Sequence, residues 1–183
     1  MIGFYVFRGI ISERTFQISG KEDNMTDLEF ESTVKEYINM LYRVAFNYLK
    51  SKEDSEDAVQ NTFIRLYHCK KGFKSEEHLK AWLIRVTINE SKRILSSNKK
   101  HAAIDIEKAA HELYFDETEK SEFSIELMKL NPTYSTVLYL YYYEGYKAEE
   151  IAGLLSKTTV AVNLILSRAR KQIREHLKED NDD

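Results

Sequence analysis

The sequence predicts an all-α protein with two small helical domains joined by a linker, the C-terminal domain being a helix-turn-helix. The 183 residues include only 6 Gly and 1 Pro, which leaves few turn signals for a sheet protein. Apolar residues recur at helical spacing in both halves of the chain. A chain of this length can hold two small domains, and such domains depend heavily on helix packing.

Residues 1–24 are predicted to be an upstream mis-start or a disordered extension. Met1 to Phe7 is apolar but too short to span a membrane, and Arg8 follows it, whereas a secretory signal needs its charge first. Lys21 to Met25 can be encoded by a purine-rich ribosome-binding sequence directly before a start codon. We therefore expect translation to begin at Met25 and no membrane insertion; a genuine N-terminal extension is the alternative.

The first strongly patterned helix runs from about Glu53 to Cys69. Its apolar residues at positions i, i+4, i+7 and i+8 predict one buried stripe of Val59, Phe63, Leu66 and Tyr67. Asp57, Gln60 and Asn61 fall on other faces.

A second helix is predicted from Leu79 to Leu95, after a loop that contains Phe73 and Lys74. We expect it to bury Leu79, Trp82, Leu83 and Val86. Polar and basic residues remain partly exposed along it, and two further lysines follow: Arg85, Asn89, Lys92, Arg93, Lys99 and Lys100.

The linker, from about Ala102 to Glu122, is rich in acids: Asp105, Glu107, Glu112, Asp116, Glu117, Glu119 and Glu122. It is interpreted as a solvated connector, helical in part around Ile106 to Leu113.

The C-terminal segment, from Leu130 to Leu177, predicts two helices, a tight turn and a third, basic helix. Asn131 can cap free amide groups, and Pro132 suits the first helical position because it has no amide hydrogen. Gly145 can end this helix in the left-handed conformation. The second helix turns Ile151, Ala152, Leu154 and Leu155 inward, and Ser156 to Thr159 forms the turn.

In the third helix of this segment, apolar residues recur at roughly helical spacing: Val160, Leu164, Ala169, Ile173 and Leu177. Basic residues lie between and after them: Arg168, Arg170, Lys171, Arg174 and Lys178. In DNA-reading versions of this motif the start of the third helix enters the major groove and the cations hold phosphate.

Composition narrows the function class. A net charge of −3 and a pI near 6.0 argue against a generic nucleic-acid coat protein. The single Cys69 excludes an internal disulfide and suits a reducing cytoplasm, the expected location. The sequence lacks a Gly-rich phosphate loop and zinc-ligand spacing, and its His residues are scattered. We therefore expect no catalytic residue, no metal site and no cofactor.

Several segments resemble bacterial RNA polymerase sigma factors of the extracytoplasmic-function group of the sigma-70 family. In the first half these are Ser55 to Phe63, Phe73, and Lys80 to Asn89. In the second half they are Tyr139 to Ala152 and Ser167 to Lys171. The resemblance implies a region 2 domain at 25–101, an acidic linker at 102–123, a region 4 helix-turn-helix at 124–178 and an acidic tail at 179–183.

By this resemblance the chain directs transcription initiation: it binds core RNA polymerase, recognises two promoter elements and helps to melt the downstream one. Core polymerase, promoter DNA and an anti-sigma protein are the implied partners. The implied polymerase contacts are Glu56, Asp57, Gln60 and Asn61, although Glu56 and Asp57 could instead only favour the positive N-terminus of their helix.

The resemblance also implies two sets of DNA contacts. The downstream element and the melted strand would be held by Phe73, Lys74, Arg85, Asn89, Lys92, Arg93, Lys99 and Lys100, where cations follow phosphates and a pocket or stacking surface takes a base. The helix-turn-helix contacts would be Lys157, Thr158, Thr159, Asn163, Arg168 and Arg170.

The recognition helix departs from the family. Where relatives carry Thr-Val-Lys-Ser-Arg-Leu, this chain has Ala161 to Leu166, with Asn163, Leu164 and Ile165 replacing two basic residues and a Ser; Ser156 stands where Gly is common. Fewer phosphate contacts mean lower affinity for any DNA. Either the phosphate contacts are made instead by the helix-turn-helix residues of the preceding paragraph, or Leu164 and Ile165 face a protein partner.

Two alternative functions remain open. The chain could be a degenerate sigma-like interaction module that binds polymerase or a regulator without directing initiation, which the apolar Leu164 and Ile165 favour. It could also be a stand-alone helix-turn-helix repressor, which leaves the first half unexplained.

Overall fold

The computed structural model describes residues 25–70, 72–97 and 122–179, without the side chains of 122–124, 178 and 179. The predictions for residues 1–24, Lys99, Lys100, the linker up to residue 121 and the tail from 180 lie outside these ranges.

Within the described ranges the chain forms seven α-helices and no strand, in agreement with the predicted fold class. In chain order they are α1 (Asp27–Leu49), α2 (Lys52–Tyr67), α3 (Glu76–Ser97), α4 (Glu122–Lys129), α5 (Pro132–Tyr142), α6 (Ala148–Leu155) and α7 (Thr159–Glu179). No single helix in the described part of the chain is both long and apolar enough to cross a membrane.

The N-terminal unit consists of α1, α2 and α3, each packed on the other two. Thr26 caps α1: its hydroxyl accepts a hydrogen bond from the Glu29 amide, and the Glu29 carboxylate accepts one from the Thr26 amide at 2.8 Å. The three helices enclose a core whose large, fully buried members include Leu41, Phe63, Leu83, Ile84 and Ile88.

The predicted buried stripe of α2 is confirmed for Val59, Phe63 and Leu66 and wrong for Tyr67. Tyr67 is 49% exposed, because it is the last residue of α2 and its ring meets only the outer edge of the core. There it packs edge-on against Phe30, with ring centroids 5.3 Å apart.

The face that α3 buries differs in part from the prediction. Leu83 is buried as expected, whereas Leu79, Trp82 and Val86 are only half-buried. The remaining buried positions belong to Ile84, Thr87, Ile88, Glu90, Ser91 and Ile94. Because α3 packs on α1 and α2 together, its buried face is wider and rotated relative to the stripe predicted from hydropathy.

The C-terminal unit consists of α4 to α7, and its turn chemistry follows the sequence prediction. The Asn131 side chain accepts a hydrogen bond from the Tyr134 amide at 3.0 Å, with Pro132 in the first turn. Gly145 has φ +72° after α5, and Ser156 has φ +53° after α6. The predicted inward residues of α6 (Ile151, Ala152, Leu154 and Leu155) are all buried.

The predicted apolar series of α7 is buried at Ala169 and Ile173 and half-buried at Leu177, but it faces outward at Val160 and Leu164. Val162, Leu166, Ala169 and Ile173 are buried, whereas Val160 is 78% and Leu164 48% exposed. The reason is that α7 rests on α5 and α6 along the Val162 side, so residues two positions earlier point away from them.

The two units pack against each other. Helix α1 contacts α5, and α3 contacts α6, so that buried residues of both units belong to one hydrophobic cluster. Asn47 of α1 and Lys50, which caps the C-terminus of α1, both form hydrogen bonds with Ser135 of α5. Lys80 of α3 forms an ion pair with Glu144 at 3.0 Å.

Candidate polymerase-binding and DNA-binding surfaces

The outward side of α2 carries the residues predicted to bind polymerase. Asp57 is exposed, and Glu56, Gln60 and Asn61 are half-buried. Asp57 and Asn61 lie opposite the buried stripe of Val59 and Phe63, and Glu56 and Gln60 lie at its border with solvent. The structure therefore brings all four predicted residues to one accessible side of the helix.

Ile64 belongs to the same surface and was missed from the sequence. It is 39% exposed and follows Asn61 by three residues and Asp57 by seven, which places all three on one helical face. The sequence does carry a signal for this residue, since an apolar side chain at position 64 falls outside the predicted buried stripe. We call Asp57, Gln60, Asn61 and Ile64 the α2 face.

The positions of Glu56 and Asp57 are not explained by the helix dipole. Ser51 caps α2 by accepting a hydrogen bond from the Asp54 amide, and the acids of the first turn are Glu53 and Asp54. Glu56 and Asp57 come one turn later, where the attraction to the helix N-terminus has largely fallen off.

Helix α3 carries a polar and basic strip along its exposed side. Arg85, Asn89 and Lys92 are exposed at positions i, i+4 and i+7, and Arg93 follows directly. We call these four residues the α3 strip. Its spacing suits a run of phosphates, since each turn of helix presents one polar group on the same side.

Arg93 also has a structural role. Its guanidinium contacts the carboxylate of Glu90 at 2.9 Å, and Arg65 of α2 contacts the other oxygen of that carboxylate at 2.7 Å. Glu90 is buried, so both arginines compensate a carboxylate withdrawn from water. Arg85 and Lys92 are therefore better placed for phosphate than Arg93.

Phe73 does not point outward from the loop before α3. It is half-buried and packs edge-on against Trp82, with ring centroids 5.5 Å apart, and against His78 at 5.7 Å. Trp82 in turn packs against the core of the N-terminal unit. Lys74, next along the loop, is exposed.

The helix-turn-helix is formed by α6 and α7, whose axes meet at 107° across the turn Ser156 to Thr158. This angle and a three-residue turn are typical of the motif. Lys157 and Asn163 are exposed beside and on the start of α7, and Arg168 is exposed near the middle of that helix. Thr158 is also exposed, and its hydroxyl caps α7 by accepting a hydrogen bond from the Ala161 amide at 3.1 Å.

Arg170 is held against α5. Its Nε donates a hydrogen bond to the Tyr142 hydroxyl at 2.9 Å, and its guanidinium lies over the rings of Tyr141 and Tyr142. The two apolar residues at which the recognition helix departs from the family face different ways: Ile165 packs partly against the core, whereas Leu164 shares the outward side with Val160.

Two family models match the chain: Sigma-70 region 2 over residues 33–101, and Sigma-70, region 4 over residues 126–173. Together these ranges take in more than half of the chain.

Two curated relatives from one organism match over nearly their whole length. The RNA polymerase sigma factor SigV of Bacillus subtilis (strain 168) is 27% identical over 166 residues, covering 87% of this chain and 98% of the relative. The ECF RNA polymerase sigma factor SigW of the same organism is 25% identical over 188 residues, covering 93% and 98%.

A solved structure shares the fold. The sigma factor RpoE from Bartonella quintana, determined in complex with the anti-sigma factor NepR, superimposes with a TM-score of 0.63 at 19% identity. The match covers 82% of this chain and 97% of that one.

Proposed function

This chain belongs to the extracytoplasmic-function group of the sigma-70 family, the sigma factors that direct transcription initiation, and we propose how its surfaces divide that work. The α2 face, with Glu56 beside it, binds core RNA polymerase. The α3 strip, with Lys74 and the Lys99 and Lys100 pair, holds the downstream promoter element and its melted strand. The helix-turn-helix holds the upstream element through Lys157, Thr158, Thr159, Asn163 and Arg168.

The domain boundaries follow from the same division of work. We place the polymerase-binding and melting domain at 25–101, the acidic linker at 102–123, the helix-turn-helix domain at 124–178 and the tail at 179–183. The protein acts where RNA polymerase works, in the cytoplasm, and has no catalytic activity of its own. An anti-sigma protein is a further partner, by analogy with the Bartonella sigma factor that is bound to one.

The observation that best supports the polymerase contact is the composition of the α2 face. An isoleucine that is 39% exposed stands among acidic and amide side chains on a helix whose opposite side fills the core. Protein interfaces commonly combine such an apolar centre with a polar rim. Phe73 and Arg170 have a lesser role in DNA binding than the other proposed contacts, because Trp82 and Tyr142 already engage them.

The test is transcription of genomic DNA fragments by purified core polymerase, with and without the full chain, followed by mapping of transcript starts. New starts that share two spaced upstream elements support the proposal. A chain beginning at Met25 is run in parallel to test the proposed start.

Two matched variants test whether the α2 face is the surface that binds polymerase. Ile64→Ser should weaken polymerase binding at least about fivefold, as expected for an exposed interface centre. Leu28→Ser, which changes an exposed leucine on α1 rather than on α2, should not. Equal binding by both variants would contradict the assignment of the α2 face.

A second candidate function is favoured by the exposed Val160 and Leu164. In this alternative the chain binds polymerase or a regulator without directing initiation. Polymerase binding without new transcript starts would support it and overturn the first proposal.

A further inference from the structure

The start of α7 presents an apolar patch interrupted by one amide. Val160 and Leu164 are 78% and 48% exposed, and Asn163, also exposed, lies beside Leu164 and three residues after Val160. Positions i, i+3 and i+4 share one face of a helix. We call these three residues the α7 tip.

The α7 tip lies outside the packed core of the C-terminal unit. The inward side of α7 is already filled by Val162, Leu166, Ala169 and Ile173, which are 5% exposed or less. Val160 and Leu164 therefore expose apolar surface that no part of the chain described by the structure buries.

The charges around the α7 tip point to duplex DNA as that molecule. Lys157 lies in the turn before it, and Arg168 and Lys171 are exposed one to two turns after it. Cations on either side of an apolar segment suit a groove with phosphates at its two walls and base edges at its floor.

The geometry of the motif directs the tip toward base edges. In a helix-turn-helix with a 107° crossing, the residues at the start of the second helix enter the major groove. From Val160 to Leu164 the helix rises about 6 Å, at about 1.5 Å per residue. That span matches roughly two base-pair steps of about 3.4 Å each.

The side chains of the α7 tip match one kind of base pair. In the major groove thymine presents a C5 methyl group, which apolar side chains contact, and adenine presents the N7 and N6 pair that an Asn amide can bind with two hydrogen bonds. A G·C pair offers no methyl group, and its guanine edge carries two acceptors that suit Arg or Lys.

We propose that Val160, Asn163 and Leu164 specify A·T pairs in the upstream promoter element, with the two apolar side chains against thymine methyl groups and Asn163 on adenine. The inference rests on the proposed function, since it assigns a sequence preference to the DNA contact of the helix-turn-helix. Asn163, which stands where relatives carry a basic residue, and Leu164, which stands where they carry Ser, thus contact bases rather than phosphates.

The experiment uses the full chain with core polymerase and promoters whose upstream element is randomised. Transcripts are sequenced to recover the preferred element. We expect adjacent A·T pairs to be enriched at the position of the α7 tip. An upstream element with G·C pairs there, or no preference at all, would overturn the inference while leaving the initiation function intact; no transcripts would overturn both.

Removing single methyl groups tests the mechanism directly. On the selected promoter, replacing one contacted thymine by uracil should weaken open-complex formation about fourfold, the effect of exposing one buried carbon group. Leu164→Ala or Val160→Ala should each abolish the uracil effect at one position. Equal activity of thymine and uracil templates with the unmodified chain would contradict the proposal.

Lys157→Ala is the matched control. It should weaken binding to thymine and uracil templates equally, because a phosphate contact does not depend on the base. Thermal unfolding of the two alanine variants should remain near that of the parent chain, since both side chains are exposed.

Discussion

Ser135 donates a hydrogen bond from its hydroxyl to the side-chain oxygen of Asn47 at 2.8 Å, and the two residues are 88 positions apart in the chain. Both are fully buried at the joint between the two helical units. The same Ser135 oxygen accepts a hydrogen bond from the Lys50 amine at 2.9 Å. One hydroxyl thus serves as donor to one residue of the N-terminal unit and as acceptor for another.

Ser135→Ala should lower the free energy of unfolding by roughly 1–3 kcal/mol, because it leaves the Asn47 oxygen and the Lys50 amine without this partner in a buried site. Urea unfolding followed by circular dichroism measures the change. The neighbouring Thr136→Val is the control: the buried Thr136 hydroxyl makes no hydrogen bond to any part of the chain that the structure describes, so its removal should be neutral or stabilising. A larger loss at Thr136 than at Ser135 would contradict the assigned network.

Lys50 should make stability depend on pH. Burial lowers the pKa of its amine from the ordinary 10.5 to about 7, since the charged form is withdrawn from water. Between these values the unfolded chain binds a proton that the folded chain lacks, so the free energy of unfolding rises with pH across this window. Below about pH 7 both states are protonated and this stabilisation is absent.

Lys50→Met should flatten that rise, whereas Lys52→Met, a change at the exposed start of α2, should leave it in place. Urea unfolding of the three proteins at a series of pH values compares the slopes. Identical slopes for the parent chain and Lys50→Met would show that the amine is not buried as described.

Alanine substitutions of Arg168 and Arg170 should have different effects on stability and DNA binding, although both residues are exposed cations of α7. Arg170→Ala removes the contact with Tyr142 and should lower the free energy of unfolding by roughly 0.5–1 kcal/mol. Arg168→Ala should leave stability near the parent value but reduce the salt dependence of promoter binding by about one phosphate contact. Thermal unfolding and binding at several salt concentrations test the pair, and the reverse pattern would contradict it.

Ser156→Gly should stabilise the helix-turn-helix by roughly 0.5–1 kcal/mol, because a residue with a Cβ atom is strained at φ +53° and glycine is not. Gly145→Ala should have the opposite sign, since it introduces a Cβ atom at φ +72°. Melting temperatures of the two variants provide the comparison. If Ser156→Gly instead lowers the melting temperature, the Ser156 side chain must make a stabilising interaction that outweighs its backbone strain.

The elements of the C-terminal unit were predictable because their boundary signals are local. Asn131 and Pro132 start α5 and Gly145 follows its end, each through hydrogen bonds or dihedral angles set within a few residues. The outward position of the predicted polymerase contacts was predictable for the same reason, since the Val59 and Phe63 stripe of α2 determines which side remains accessible.

The features that could not be predicted from the sequence depend on contacts between distant segments. Val160 and Leu164 have the hydropathy of core residues, and only the positions of α5 and α6 show that they face outward. The role of Arg93 depends on Glu90 and on Arg65 from another helix. The contact of Arg170 with Tyr142 likewise requires α5 and α7 to be packed side by side.

The shared hydrophobic cluster has a thermodynamic consequence for the whole molecule. Because buried residues of both units contact one another, the described helices should melt as one cooperative unit, with a single calorimetric transition. Stabilising one unit then stabilises the other. A ligand held by the N-terminal helices would therefore raise the melting temperature of the helix-turn-helix that it never touches, and a ligand of the helix-turn-helix would do the same in reverse.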